Sequence, residues 1–360
     1  MYAFSAADLI SPAIKRTRWF LFQPFRWGTF LKLCLVAVLT EGSGGGFNSS
    51  FNFPGNFHKQ TQIPVPSSIP PFSFPSYHFA PWAIALIAAL VVLCIGIALV
   101  IGYLITRLRF ALFHCLVFQT REIRQGWRRY DAESWRFFLL TLAVGIVVLF
   151  AAALIAIPFI FGFLRLFQST QTGDSFDFAA FFALFVPMIP IVLFLVLLGI
   201  ALRIILYDLM LPHMALEGVS ASEAWRQVRI RISTEKGAFL LYAFLRVILP
   251  IVATIGAVFV LMVPIVILAV VIGITGAGFA GLFANASLVS KSILILGAVV
   301  AVAFGIALMI LIGMCIGGPI GIAIRNYALL FYGGRYQVLG NLLSPAPPPP
   351  PIIPDAPASV

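Results

Sequence analysis

Charge is what this sequence has least of. Asp, Glu, Lys and Arg make up 10% of its 360 residues, against 61% hydrophobic residues and a mean hydropathy of +1.07. A soluble domain carries about 25% charged residues, so a water-exposed globular surface is excluded. Acidic residues are the scarcer sign, 12 against 23 Lys and Arg, for a net charge of +11. There are four histidines, His58, His78, His114 and His213, and four cysteines, Cys34, Cys94, Cys115 and Cys315. The cysteines fall in or beside apolar runs and form neither a disulfide framework nor a zinc spacing, so they read as apolar packing residues. No H-E-x-x-H, phosphate-binding Walker loop, G-x-S-x-G or His/carboxylate set at metal spacing occurs. With acids, bases and nucleophiles so few and so scattered, the expectation is a non-enzymatic protein with no catalytic residue, no cofactor and no metal.

What the sequence does have is apolar runs long enough for a hydrocarbon core of about 30 Å. They predict six spans, near 27–41, 82–106, 136–163, 178–206, 239–273 and 292–324. The expected fold is therefore all-α: a polytopic membrane helix bundle of about six transmembrane helices, occupying 1–336, with cytoplasmic interfacial amphipathic helices. The first run is short and contains Lys32, which can snorkel to an interface; a re-entrant or interfacial helix is its alternative. Pro250 and Pro264 in the fifth predict tilt or kinking. Residues 42–80, rich in Gly, Pro and Phe, are expected as a non-cytoplasmic loop with its Phe side chains on the outer leaflet or the bundle. Residues 337–360, with five prolines at Pro347–Pro351, are expected as a disordered cytoplasmic tail. A protein partner with an aromatic groove could dock there.

Orientation follows from where the cations sit, because loops that keep Lys and Arg mark the cytoplasmic side. One side holds Lys15, Arg16, Arg18 and Arg26, then Arg107, Arg109, Arg121, Arg124, Arg128, Arg129 and Arg136. It also holds Arg203, Arg226, Arg229, Arg231, Lys236 and Arg246, then Arg325 and Arg335, which makes 19 of the 23. The other side has Lys59, Arg165 and Lys291. Both termini are then cytoplasmic in a bacterial inner membrane. The positive charge belongs to topology and to membrane lipids, anionic ones in particular, with no nucleic acid implied.

Two of the basic segments share a plan. After span two come Arg109, His114, Arg121, Arg124 and Trp127-Arg128; after span four come Arg203, Asp208, Glu223, Trp225-Arg226, Arg229 and Arg231. Arg18-Trp19 and Pro24-Phe25-Arg26-Trp27 resemble a degenerate third copy. Tryptophan beside arginine suits the headgroup zone, so Arg124, Trp127, Arg128, Trp225, Arg226, Arg229 and Arg231 are candidate lipid-headgroup contacts. Ordinary interface anchoring is the alternative. Ser220 or Ser222 suits an N-cap ahead of the second basic helix. Arg109 and Asp208 form a candidate buried polar pair across two adjacent helices, or else both mark the interface. Gly313, Gly317 and Gly321 place three side-chain-free positions on one face of the last span, a surface for close helix packing.

Several of these stretches resemble a family. Leu216-Glu217-Gly218-Val219-Ser220, Ser222-Glu223-Ala224-Trp225-Arg226 and Gly237 to Tyr242 are similar to the multi-span bacterial membrane domain found alone or fused to glycerophosphodiester phosphodiesterases. So are Leu21-Phe22, Pro24-Phe25-Arg26, and Pro319 with Arg325-Asn326-Tyr327-Ala328-Leu329-Leu330-Phe331, so that the similarity covers residues 10–336. The catalytic barrel of such enzymes needs a soluble stretch that does not exist here, and the resemblance brings no catalytic residue. Two functions remain as expectations. One is association with lipid or a partner at the cytoplasmic face; the other is a transporter or permease-like component with a site near the inner ends of spans two and four.

Overall fold

The computed structural model describes residues 5–41, 81–171, 178–284 and 288–343, and no strand occurs among them. Helices α1 (Ile10–Phe22) and α2 (Trp27–Glu41) open the chain, followed by α3 (Pro81–Phe118), α4 (Ile123–Arg129), α5 (Asp131–Gln171) and α6 (Phe178–Arg203). A π-helical segment, Ile204–Met210, joins α6 to α7 (Leu211–Glu217). Then come α8 (Ala221–Thr234), α9 (Lys236–Ala284), α10 (Leu288–Gly333) and α11 (Gln337–Leu343). Five helices are long and apolar enough to cross a membrane, within Ala85–Phe118, Asp131–Leu166, Phe181–Glu217, Lys236–Ile267 and Ser290–Gly333. The chain is an all-α polytopic membrane protein.

Burial is concentrated at one end of these helices. In α3 the side chains from Phe110 to Val117 are buried while Leu86, Leu90 and Leu93 are exposed; in α10 Ile322 and Tyr327 to Leu329 are buried while Ile295 to Leu311 stand open. Lipid tails are as apolar as leucine, so open apolar faces cost nothing in a bilayer. The buried end is a head built from α1, α2, α4, the π-helical segment, α7, α8 and α11 around the ends of the spans. Beyond it the spans fall into two sets, α3 with α5 and α6, and α9 with α10. Among the described residues α6 and α9 meet marginally at most, as do α3 and α10.

The expected first span is corrected. Residues 27–41 do form a helix, but 15 residues rise only about 22 Å, short of the ~30 Å core, and it lies outside the five spans. The helix packs on α10 instead. A Cβ at Gly318 would stand 2.6 Å from the Cys34 Cα, so only glycine lets the two backbones approach this closely. Gly321 faces Ala37 and Glu41. Of the three glycines predicted for close packing, Gly321 lies in this contact, and the tightest approach is at Gly318, which was not among them. At the end of α2, the Thr40 carbonyl accepts from the Arg109 guanidinium at 3.0 Å. Arg109 is 28 residues, or about 42 Å of helix, from Pro81. Thr40 therefore ends on the head side.

A second correction concerns the tail. The chain is not irregular from 337: Gln337–Leu343 is helical, with Leu339 fully buried, and packs on α10, α3 and α7. Arg16 clamps its last carbonyl, Leu343 O, at 3.2 Å and Leu116 O at 3.0 Å. Burial lowers the pKa of Arg16 from its ordinary value. The proline run beyond 343 and the loop at 42–80, with Lys59, His58 and His78, lie outside the described residues.

Truncation after Leu343 should leave thermal stability in detergent unchanged, because every head contact named above is kept. Truncation after Tyr336 removes Leu339 and the Arg16 clamp, and should cost at least the ~2–5 kcal/mol of an emptied core leucine site. Melting curves of the two truncations against the full chain distinguish them, and equal stability of all three would contradict the assignment of α11 to the head.

Candidate functional site

Where the spans enter the head, six ionisable side chains from α2, α3, α6, the π-helical segment, α9 and α10 meet. Asp208, 2% exposed, accepts from Arg246 Nε at 2.8 Å, from Arg325 at 2.8 Å and from the Tyr242 hydroxyl at 2.8 Å. Glu41 pairs with Arg246 at 3.1 Å and with Arg203 at 3.5 Å. Arg246 therefore bridges both carboxylates. Burial works to raise the Glu41 pKa, but Arg246, Arg325 and Arg203 together hold it below the ordinary carboxylate value.

Local backbone chemistry builds this arrangement. Pro212 has no N–H to give the Asp208 carbonyl, and the helix widens just ahead of it. The Leu211 N–H bonds to Leu206 O, five residues back, where a regular α-helix would use Tyr207 O. Tyr207 O is thereby freed, and it accepts from Arg325 at 2.8 Å. One widened turn thus gives Arg325 both a carboxylate and a carbonyl. Around the network Tyr242 stacks on Phe331, with ring centroids 4.2 Å apart and planes within 9°.

Arg109 does not supply the ion pairs that Asp208 makes; those come from Arg246 and Arg325. Arg109 lies alongside, its guanidinium 3.9 Å over the Tyr207 ring and donating to Thr40 O. Pairing with residues 38 and 117 positions away has no sequence period to announce it, although Arg246 lies inside the expected fifth span and Arg325 directly after the sixth.

The lipid-contact candidates divide. Trp225, Arg226 and Arg229 are exposed on α8, and Arg124 and Arg128 on α4. Ser220 caps α8 by accepting from the Glu223 N–H, as its position predicts. Arg231, by contrast, turns inward: it meets His213 Nε2 at 2.6 Å and the Tyr332 hydroxyl at 3.1 Å, 4.9 Å over Tyr336. Beside it Tyr336 donates to Glu217 at 2.6 Å, and burial and that carboxylate raise its pKa. Trp127 is half-buried under Arg107, 4.6 Å from its ring. An exposed aromatic and basic stripe outside those candidates runs along α1 and the turn to α2: Ile14, Lys15, Arg18, Trp19, Phe22, Phe25 and Trp27.

The duplicated plan is visible in backbone geometry. His114 and His213 each follow a charged residue by five, Arg109 and Asp208, and each precedes by five a residue with positive φ, Gln119 at 54° and Gly218 at 63°. After that turn each copy lays a basic helix back on the head, with a small residue, Gly126 or Ala224, against it. A Cβ at Gly126 would lie 2.8 Å from the Ala111 Cα.

A family model matches residues 4–342, nearly the whole chain, and its description is a family of unknown function, DUF7544. The chain belongs to this family. No curated protein and no solved structure matches it. DUF7544 carries no assigned activity, so the geometry has to speak for the site. Among the described residues no group of three His, Cys, Asp or Glu could hold a metal ion. What the network does is neutralise charge and fasten helices.

Asp208→Asn leaves two buried guanidinium groups short of a counter-charge and should lower stability by about 3–5 kcal/mol. Tyr242→Phe removes one neutral donor and should cost about 1 kcal/mol. Unfolding in detergent measures both, and an Asp208→Asn loss no larger than that of Tyr242→Phe would contradict the central place of the carboxylate.

Proposed function

We propose that this is a non-enzymatic protein of the bacterial inner membrane, with a head that lies on the cytoplasmic leaflet and holds anionic lipid there. One observation carries the reading. Helices α1 and α8 present the same outer stripe, an apolar or aromatic side chain next to a cation, repeated one turn on. In α1 it is Ile14-Lys15 and Arg18-Trp19; in α8 it is Trp225-Arg226 and Arg229-Ile230. Trp19 is 56% exposed and Ile230 59%, while the opposite faces, Ala13, Thr17 and Phe20 on α1 and Ala224 and Val228 on α8, are buried. Such a face suits the headgroup zone, where apolar rings enter the acyl boundary and cations meet phosphate.

Both termini and the basic helices are then cytoplasmic, with each cation near the surface contributing about 1 kcal/mol of attraction. The resemblance to phosphodiesterase membrane domains adds no catalytic group to this reading. The transporter reading draws on the ionisable cluster at the inner ends of α3 and α6. It is the weaker one, because the two carboxylates there already accept from arginines.

Replacing Arg18, Arg226 and Arg229 together by Gln should weaken retention of anionic lipid by at most ~3 kcal/mol, an effect that shrinks as salt is raised. Native mass spectrometry comparing bound anionic with zwitterionic lipid measures it. Unchanged anionic preference in the folded triple variant would leave these residues as orientation signals and overturn the proposal.

A further inference from the structure

Helix α2 has the apolar content of a membrane segment and does not cross. Packing accounts for one of its faces, where Phe30, Leu33, Cys34, Val36, Ala37 and Thr40 are buried. It does not account for the other. Trp27, Leu31, Leu35 and Leu39 recur every four residues as one stripe along the helix. Trp27 is 65% exposed, Leu35 47% and Leu39 40%. In water each Å² of such surface is unfavourable by about 25 cal/mol.

The stripe continues into the α1–α2 turn. Phe22 and Phe25, both exposed, stack with ring centroids 6.0 Å apart, and the Phe25 ring meets Trp27 edge-on at 5.0 Å and Phe30 at 5.5 Å. The rings thus form one packed apolar knuckle. The backbone beneath it needs little water. Gln23 N–H bonds to Trp19 O and Pro24 has no N–H, while Arg121 donates to Phe20 O at 2.7 Å, to Pro24 O at 2.6 Å and to Gln23 O. Peptide groups already paired within the protein can leave bulk water at little cost. Between Asp8 and Glu41 the chain carries Lys15, Arg16, Arg18, Arg26 and Lys32 and no acid, a balance that suits leaflet phosphate. Helix α2 also meets α10 at Gly318 and Gly321, within the span Ser290–Gly333, so its outer face stands at the edge of the bilayer.

From this we infer that the α1–α2 turn and the outer face of α2 form an in-plane membrane anchor, shaped by the Arg121 clamp. Phe22, Phe25, Trp27, Leu35 and Leu39 enter the acyl boundary of one leaflet, and Arg18, Arg26 and Lys32 stay at its phosphates. The partner is the lipid surface itself. Insertion is an apolar effect and needs no anionic lipid, so the anchor rests on the proposed function only for which leaflet it enters.

The test places spin labels at Phe25→Cys, Leu35→Cys and Arg226→Cys, one at a time, in the full-length chain with its four native cysteines replaced. In phosphatidylcholine bilayers, collision with oxygen reports hydrocarbon and collision with a water-soluble nickel chelate reports water. Labels at 25 and 35 should be oxygen-dominated, about 5–10 Å below the phosphates, and the label at 226 on α8 nickel-dominated. Adding Arg121→Gln should raise nickel access at 25 severalfold and leave 35 as it was. Nickel access at 25 and 35 equal to that at 226 overturns the anchor, and so does low access to both reagents, which is what cover by another part of the chain would give. Unchanged access at 25 in the Arg121→Gln variant overturns the clamp. Because phosphatidylcholine has no net charge, failure of the anionic-lipid reading leaves these outcomes untouched. If the chain does not fold without Cys34, benzophenone side chains placed at 25 and 35 in the chain with its native cysteines decide: photo-crosslinking to phosphatidylcholine supports the anchor, and absence of a lipid adduct overturns it.

Discussion

Withdrawing a carboxylate from water costs several kcal/mol unless partners replace its hydration. Asp208 is withdrawn almost completely and has three partners, Arg246, Arg325 and Tyr242, on two helices. Much of the head follows from satisfying this one group. It needs the widened turn that Pro212 imposes, because the same turn frees Tyr207 O to hold Arg325. It needs α9 and α10 side by side, and through Arg246 and Glu41 it fastens α2 to both. Apolar packing in the head then closes around fixed points, with Tyr242 stacked on Phe331 and α2 crossing α10 at Gly318.

The remainder of the molecule is held differently. Beyond the network the two sets of spans present open apolar faces, and no force comparable to the hydrophobic effect in water draws them together in lipid. Their relation is set at the head, as two groups of rods are set by one clamp. Exposed cations on α1, α4 and α8 lie on the outside of the head.

Five of the six spans were legible because apolar length alone defines them, and the N-cap at Ser220 and the basic helices between the spans were legible from local chemistry. The segment at 27–41 misled because its composition is that of a span and only its length, 15 residues, is not. Glu41 at its end, an acid beside an apolar run, was the available signal. The pairing of Asp208 was illegible in principle, since a contact 117 residues long leaves no periodicity. Arg231 looked like its neighbours Arg226 and Arg229, yet α8 turns it toward His213 and Tyr332. Position 231 falls two residues past 229 on the helix, about 200° around, which places it on another face. The duplicated histidine turns could be suspected from sequence, but the positive φ at both Gln119 and Gly218 is what makes the two copies alike.

The account stands on one claim above the others: the head, with α1, α8 and the ionic network, lies on one side of the membrane and Ser290, near the start of α10, on the other. Single cysteines introduced at Ser233 and Ser290, in a chain whose four native cysteines are replaced, can be probed in intact spheroplasts with a membrane-impermeant thiol reagent. The account predicts labelling at 290 and none at 233 until the membrane is permeabilised. Labelling at 233 in intact spheroplasts, or equal labelling at both, would contradict it.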